Sequence, residues 1–440
     1  MILFWIELVV VLAMIGIGAR YGGLGLGMMG GLGVAILSFL MDDLPSDPPV
    51  EVILMIAAVV TAAGTLQAAG GMDYLVDLAE KALRKHPPAI TFVAPLVAYV
   101  FTLFAGTGHV AYAILPVIAE VSREAGVRPE RPLSISVIAS QQAITASPIS
   151  AATVALLVLV SGAGITLGGL LAVCIPATLA GVLAGALVAS RTGKDLAEDP
   201  EYQRRLAAGE IEAPTRTARP PATWQARLSV ALFVGGALAI VFFGSVPSLR
   251  PTYTVGGLDV QMKMADAIEM VMLSIAALMV LVCGAKPEKV AHGSVFLAGM
   301  QAVIAIFGVA WMGDTFFRAN QATVQGPLTA MVQGAPWTFA MALFVMSILL
   351  FSQAATVRTL VPLGISIGMP GWALVGMFPS VNGYFFLPNY PTVVAAINFD
   401  RTGTTRIGKY LLNHSFMLPG LAASVVSVAV GLLLARFILV

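Results

Sequence analysis

The sequence predicts an all-α polytopic membrane protein built from two inverted-topology repeats. Hydrophobic residues make up 58% of its 440 residues and charged residues only 11%, whereas a soluble protein carries about 25% charged residues. Apolar runs of about 20 residues, the length that crosses a bilayer, recur along the whole chain. Polar interruptions then recur at matched spacing in the two halves, and this repetition predicts the repeats.

Eight apolar segments are typical of simple membrane-spanning helices. They are residues 1–19, 22–40, 50–70, 166–189, 228–245, 265–283, 290–312 and 411–437. Together with the two interrupted spans described below, they give about ten transmembrane helices. Cys174 and Cys283 both fall inside these spans, where two free buried thiols are expected rather than a disulfide or a metal pair.

Two further apolar runs, 89–122 and 336–370, are too long for one helix and too short for two spans with a turn. Each arm of about 15 residues would reach about 22 Å, against a hydrocarbon core of about 30 Å. The polar sequences GTGH (106–109) and FSQAAT (351–356) lie near their centres. Both runs therefore predict re-entrant hairpins with polar tips.

Residues 133–160 and 371–400 form overlong apolar segments with polar centres, SQQAITASPIS and PSVNGYFFLPNYPT. A proline within a helix lacks an N–H and clashes with the preceding turn. The prolines at these centres are Pro148, Pro388 and Pro391. Both segments therefore predict broken helices.

Equal spacing relates the two halves of the chain. Ser140 precedes Pro148 by the same interval as Ser380 precedes Pro388, and counting back from Pro116 and Pro362 superposes the two tips. Each half then consists of three spans, a hairpin, a broken helix and a final span. The predicted organisation is a first repeat (1–189), a linker loop (190–227) and a second repeat (228–440).

Charge orients the repeats. Arg20 ends the first span, and the acidic sequence MDDLPSDPP follows the second. Because basic loops stay in the cytoplasm, both termini are expected to be periplasmic. The basic segments 81–86, 123–132, 190–227 and 400–409 then lie inside. The first hairpin enters from the cytoplasm and the second from the opposite side. The net charge of +1 argues against a nucleic-acid partner.

The tips and breaks predict a carboxylate-binding site. Non-helical backbone at membrane depth must be satisfied by protein or by a water-filled cavity, and the N-termini of half-helices favour anions. Close helix packing by small residues is the alternative explanation. The candidate substrate-binding residues are Gly106, Thr107, Gly108, His109, Ser140, Ser147, Pro148, Ser352, Gln353, Thr356, Arg358, Asn382, Gly383 and Asn389. No catalytic residue, metal ligand or cofactor is predicted.

Two of these candidates have alternative interpretations. Arg358 lies inside an apolar arm, where an arginine is costly and usually functional; it either forks onto a substrate carboxylate or stays near the lipid headgroups. His109 either donates to a carboxylate or carries a proton, or it is a neutral histidine satisfied at a turn.

The sequence GLGMMG (25–30) matches a nucleotide-binding pattern, G-x-G-x-x-G, only literally. A nucleotide site needs a preceding strand, and this motif lies inside an apolar span. Close helix packing through Gly23, Gly27 and Gly31 is the favoured interpretation.

Several stretches resemble the Dcu family of anaerobic C4-dicarboxylate transporters, and the resemblance covers nearly the whole chain. They are GARYGGLGLGMMGGLGV (18–34), TLQAAGGMDYLVDLAEKALRKHP (65–87), GTGHVAYAILPVI (106–118), RPERP (128–132), SPIS (147–150) and FDRTGTTRIGKYLLNHSFMLPG (399–420). The resemblance implies a bacterial inner-membrane carrier of fumarate, succinate, malate and aspartate. It also implies scaffold and elevator-type transport domains and a homodimer.

Coupling and regulation are less well indicated. Other branches of the wider group carry Ser-Asn-Thr motifs at sodium-binding tips, whereas the tips here read GTG and SQAAT. Coupling to H⁺ or Na⁺ therefore stays open. Loops 190–227 and 246–264 look least like the family, and a regulatory sensor protein is a candidate partner of the first.

The expected function is secondary active transport of C4-dicarboxylates, by exchange of the fumarate/succinate type. Within transport, the alternatives are a carrier of another organic anion and a sodium–proton antiporter. An intramembrane enzyme is the alternative from another class, but the sequence holds no HExxH or GxSxG motif. A channel is disfavoured because inverted hairpins are typical of alternating access.

Overall fold

The computed structural model describes the chain apart from residues 1, 22, 49, 86, 109–110, 210, 212–221, 321–322, 324–334, 336, 351, 389 and 409–411. The described residues are mostly helical, with one two-stranded antiparallel sheet. Cys174 and Cys283 are free and buried, as predicted. The chain is mostly helical, with several long apolar helices as expected of a polytopic membrane protein, whereas the small sheet is not part of the predicted all-α class.

The first half of the chain contains nine helices among its described residues. They are α1 (Ile2–Tyr21), α2 (Gly23–Leu40), α3 (Val50–Ala68), α4 (Gly71–Lys85), α5 (Ile90–Ala105), α6 (Ala111–Glu124), α7 (Glu130–Gln142), α8 (Ala151–Val160) and α9 (Leu167–Ser190). The linker contributes α10 (Pro200–Ala207).

The second half begins with α11 (Trp224–Ser245) and a β-hairpin of β1 (Thr252–Val255) and β2 (Leu258–Gln261). The remaining helices are α12 (Met264–Cys283), α13 (Pro287–Ala291), α14 (Ser294–Ala319), α15 (Thr338–Leu350), α16 (Gln353–Ser366), α17 (Gly371–Met377), α18 (Pro391–Phe399) and α19 (Met417–Ile438).

Seven helices in the described part of the chain are long and apolar enough to cross a membrane, and up to eight if one bent pair counts as a span. The number of ten therefore stays a prediction. One difference concerns the first hairpin, whose arms the sequence predicts to be too short to cross: its first arm, before the tip, is longer. With the 3₁₀ turn before α5, this arm extends over Pro87–Ala105, 19 residues, which is long enough to cross.

Helix α4 lies at 74° to the preceding span α3. Its buried residues recur every three or four positions, at Met72, Val76, Ala79 and Leu83, while charged residues occupy the other face. This spacing is typical of an amphipathic helix that packs on one side only. Residues 81–85 of the basic segment therefore belong to a surface helix rather than to a membrane span.

Glycines allow α2 and α14 to touch along their backbones. A β-carbon on Gly27 would lie 2.2 Å from the carbonyl oxygen of Ile304, and one on Gly30 would lie 2.3 Å from the carbonyl carbon of Gly308. Close packing through Gly27 is confirmed, whereas Gly31 faces open space. The contact runs through Gly30 because Gly27 and Gly30, three residues apart, share one helix face.

The RPERP sequence is held by ion pairs that we call the basic clasp, formed by Arg128, Glu130, Arg131, Asp195 and Asp199; those of Arg128 are buried, and Asp195 is exposed. Arg128 donates to Glu130 over 2.5 Å and also to Asp199. Arg131 pairs with Asp195 over 2.6 Å. The clasp fixes the start of α7 against the loop after α9, although that loop was among the least family-like segments.

The clasp also meets the segment that follows α18. The backbone N–H of Glu130 donates to Thr404 over 3.2 Å, and Ser415 donates to the Glu130 carboxylate over 2.6 Å. Asp400 accepts from the backbone N–H of Thr405 over 2.6 Å. Three segments that the charge pattern places in the cytoplasm thus contact one another.

Candidate functional site

The first tip is a tight turn that packs against the first broken helix. Gly106 ends α5 in the left-handed conformation, with φ of +69°, which favours glycine. A β-carbon there would lie 2.9 Å from Ile149, and one on Gly108 would lie 2.4 Å from Nε2 of Gln141. His109 lies outside the described residues, and Thr107 is partly buried.

The first broken helix is interrupted between α7 and α8, where Pro148 lies buried in the turn. Ser147 donates to the carbonyl of Leu103 over 2.7 Å and so ties the break to the first tip. Ser150 caps α8 by accepting from the N–H of Thr153 over 3.1 Å. The predicted interruption at SPIS is confirmed.

The second tip separates α15 from α16. Ser352 caps α16 by accepting from the N–H of Ala355 over 3.2 Å, and Thr356 donates to the carbonyl of Ser352 over 2.8 Å. In the second broken helix, the N–H of Gly383 donates to Ser347 of α15 over 2.8 Å. Each tip is therefore tied to the broken helix of its own half.

Four buried amide side chains lie where these elements meet, and we call them the carboxamide cluster: Gln141, Gln142, Gln353 and Asn382. Nε2 of Gln353 donates to Oε1 of Gln141 over 2.9 Å and to Oδ1 of Asn382 over 3.2 Å. Nδ2 of Asn382 donates to Oε1 of Gln142 over 3.2 Å. The cluster thus joins the second tip to both broken helices, and Gly108 adds the first tip.

The cluster is buried and has one donor without an acceptor among the described residues. Gln142 is fully buried, and Gln353, the most exposed member, is 7% exposed. Nε2 of Gln142 has no hydrogen-bond partner among the described residues. A buried donor without a partner is costly, and it stabilises the site only when an acceptor binds to it.

The described residues contain no group of three or more acidic, histidine or cysteine side chains that could hold a metal ion. The cluster presents amide N–H groups at the capped N-terminus of α16, which begins at Gln353. Both kinds of group favour oxygen acceptors and negative charge. The arrangement is chemically suited to a carboxylate.

A family model described as "Anaerobic c4-dicarboxylate membrane transporter" matches residues 3–439. The chain belongs to this family, DcuA/DcuB. It is 43% identical over 437 residues to the C4-dicarboxylate transporter DcuA of Wolinella succinogenes, covering 98% of this chain and 99% of the relative. The DcuA of Escherichia coli K12 is 42% identical over 435 residues, with 99% of each chain covered. The anaerobic C4-dicarboxylate transporter DcuB of E. coli O6:H1 is 40% identical over 444 residues, covering 98% of each chain.

The expected family is confirmed, and so is the expected class, a transporter rather than an enzyme. Within this Dcu chain, the structure brings Gln353 and Asn382 together. It places Gly108 against Gln141 of the same cluster, whereas Gly106 faces Ile149 and Ser147 bonds Leu103. Asn389 lies outside the described residues.

Other predicted residues lie apart from the cluster contacts. Ser140 donates to the carbonyl of Val137 over 2.8 Å, and Ser380 donates to that of Met377 over 2.7 Å, so both hydroxyls are used within their own helices. Arg358 is partly buried and has a polar partner of its own. It follows Gln353 by five residues, about 140° around the helix, which turns it toward another face of α16.

Gln141, Gln142 and Thr145 were missed in the sequence. They lie in the polar run SQQAITASPIS, where the sequence predicts Ser140, Ser147 and Pro148 as binding residues. The repeat spacing held a usable signal, because the interval that relates Ser140 to Ser380 also relates Gln142 to Asn382. Two amides at equivalent positions of two broken helices could have been chosen together.

Proposed function

We propose that this chain is a secondary active transporter of C4-dicarboxylates, with fumarate, succinate, malate and aspartate as its substrates. Membership of the DcuA/DcuB family supports the substrate class, since the relatives are named C4-dicarboxylate transporters. The bacterial inner membrane is the corresponding location. Coupling to H⁺ or Na⁺ is left open.

The carboxamide cluster is the observation that carries the proposed binding site. A dicarboxylate brings four acceptor oxygens to a buried place where the free N–H of Gln142 lacks an acceptor. The other amides can turn from one another to the ligand, so their internal hydrogen bonds are exchanged rather than lost. The tip residues Gly106, Thr107, Gly108 and His109 would close the site from one side. Ser147, Pro148, Ser352, Thr356 and Gly383 would shape its walls, whereas the Ser140 hydroxyl serves its own helix.

The proposed topology has both termini in the periplasm. It is supported by contacts between segments assigned to the same side, such as the basic clasp inside. On the other side, the N–H of Ser46 in the acidic loop donates to the hydroxyl of Thr315 over 3.1 Å. Nε1 of Trp311 donates to the carbonyl of Ser46 over 2.6 Å.

The proposed mechanism is exchange by an elevator movement. The hairpins and broken helices share the hydrogen bonds of one site, and so they would move as one unit. The glycine contact between α2 and α14 would belong to the scaffold, where a homodimer interface is also proposed. A regulatory sensor remains a proposed partner of the loop 190–227.

Counterflow in proteoliposomes tests the function. Vesicles are loaded with unlabelled succinate, and the entry of labelled fumarate is followed against protein-free vesicles. Protein-dependent entry that external succinate, malate and aspartate inhibit is the expected result. Entry that monocarboxylates or chloride inhibit equally well would indicate another anion carrier or a channel. No entry under any loading would refute the proposal.

A further inference from the structure

A cavity of about 570 Å³ opens between the turn after α8 and the segment that follows α11. Apolar residues form most of its wall, on α3, α8 and α12 and on the segments beside them. Its charged side chains are Arg250 and Lys263, and we call it the basic vestibule. In the proposed topology, this end of the molecule faces the periplasm.

The Arg250 side chain is held in place by a hydrogen bond. Its Nη1 donates to the carbonyl of Met262 over 2.9 Å, while its Nε is buried and has no hydrogen-bond partner in the described part of the chain. None of the described residues that line the vestibule is acidic. Asp266 and Glu269 border Lys263 in an adjoining groove that Arg250 does not line, so Arg250 is the principal cation of the vestibule.

A second cavity lies on the same helix seam, nearer the proposed binding site. This smaller cavity, of about 80 Å³, touches the first tip at Gly106 and Thr107. Both cavities follow the seam between α3 and α8: Met55 and Val154 line the vestibule, whereas Ile56 and Ala151 line the smaller one. The ten residues of α8 span about 15 Å, so the vestibule lies about one short helix from the break.

We propose that the basic vestibule is a second anion site, where a periplasmic dicarboxylate binds before it reaches the carboxamide cluster. A guanidinium and an ammonium on an apolar wall fit a small organic anion, with the carboxylate on the cations and the carbon chain on the wall. A cleft lined by one sign of charge also raises the local concentration and association rate of the opposite charge. An anionic lipid headgroup shares this chemistry. The proposal rests on the proposed transport function.

Exchange is measured in right-side-out and inside-out membrane vesicles, so that substrate is presented to each face separately. In Arg250→Gln/Lys263→Gln, we expect the half-saturation concentration to rise about tenfold at the vestibule face, with no change at the opposite face or in maximal rate. Lys263→Gln alone keeps the Arg250 contact and should show a smaller rise. Arg250→Lys/Lys263→Arg retains both charges and should stay close to wild type. Arg318→Gln removes a cation at the same end, 3.3 Å from Asp314, and serves as the matched control.

If the double glutamine variant has the wild-type half-saturation concentration on both faces, the proposed anion site is refuted. An equal rise in the half-saturation concentration of Arg318→Gln would refute it too. The comparison is repeated in proteoliposomes of phosphatidylcholine with and without phosphatidylglycerol. A defect that requires phosphatidylglycerol assigns the cations to a lipid headgroup and also overturns the proposal. Absence of exchange in the wild type refutes the proposed function instead.

Discussion

Asn382 donates through Nδ2 to Oε1 of Gln142 over 3.2 Å, across the centre of the molecule. The two residues are 240 positions apart and occupy equivalent places in the two predicted repeats, because Ser140 and Ser380 precede them by two residues each. The matching bonds of Ser140 to Val137 and of Ser380 to Met377 support this equivalence. The two broken helices thus contact each other through their amide side chains.

The first prediction concerns Gln142. Gln142→Leu removes a donor to a charged ligand, a contribution of about 1.5–3 kcal/mol, so the half-saturation concentration for fumarate should rise about tenfold to a hundredfold. The fold should persist, because Asn382 keeps the carbonyl of Pro379 at 3.0 Å and Thr145 at 3.4 Å. Exchange rates across a fumarate series measure the effect. Ser140→Ala is the control, since its hydroxyl serves its own helix, and an equal loss in that variant would contradict the site.

Much of the fold was accessible from the sequence because glycine, proline and polar residues interrupt apolar runs where the structure interrupts helices. The breaks at Gly106, Ser147, Ser352 and Asn382 follow directly from such interruptions. Local patterns do not tell which side chain at a break faces its neighbour. Ser140 and Gln141 are adjacent in the chain, yet about 100° apart around α7, and only tertiary packing selects the glutamine.

The second prediction separates the two interpretations of Arg358. If its guanidinium forks onto a carboxylate, Arg358→Lys should impair exchange although the charge is kept, because an ammonium cannot form the paired hydrogen bonds. Its position on α16 instead favours a role away from the carboxamide cluster. Exchange rates of Arg358→Lys and Arg358→Gln are compared with wild type. Full activity in both variants would remove Arg358 from the site.

The third prediction tests the topology with a pair of cysteines. Lys194→Cys, in the exposed loop after α9, should resist an impermeant thiol reagent in intact cells. Leu258→Cys, in the β-hairpin where Leu258 is 72% exposed, should react. Cys174 and Cys283 are buried and provide a low background. The reverse labelling pattern would overturn the inverted arrangement.

The fourth prediction concerns the basic clasp. Burial opposes the charge of Asp199, but the N–H of Tyr202 and the guanidinium of Arg128 outweigh it and lower the pKa of Asp199. A lowered carboxyl pKa stabilises the fold above the unfolded pKa, about 4, and this stabilisation is lost as the pH falls through the folded pKa. Asp199→Asn should therefore lower the free energy of unfolding by about 1–3 kcal/mol at neutral pH. The loss is limited to this range because Glu130 still pairs with Arg128.

Thermal unfolding in detergent between pH 3 and pH 7 measures this cost. The melting temperatures of wild type and Asp199→Asn should converge toward the acid end. Glu201→Gln is the control, since Glu201 pairs with Arg204 and Arg205 on the surface and its loss should leave the neutral melting temperature unchanged. A constant difference at all pH values would show that the Asp199 charge is not what stabilises the clasp.

The last prediction is exchange itself. With substrate bound, the amide donors of the carboxamide cluster are paired with carboxylate oxygens, and the site can cross the bilayer as a satisfied unit. Nε2 of Gln142 has no acceptor among the described residues. Without substrate, movement of the hairpins would have to carry the amide donors past the scaffold with neither a carboxylate nor water to accept from them. Because an unpaired buried donor costs about 1–3 kcal/mol, the empty site should return about tenfold to a hundredfold more slowly than the loaded one. Labelled fumarate should therefore enter succinate-loaded proteoliposomes far faster than empty ones, and Gln142→Leu, which removes the donor, should narrow that ratio. Equal initial rates into loaded and empty wild-type vesicles, with no ion gradient, would refute exchange.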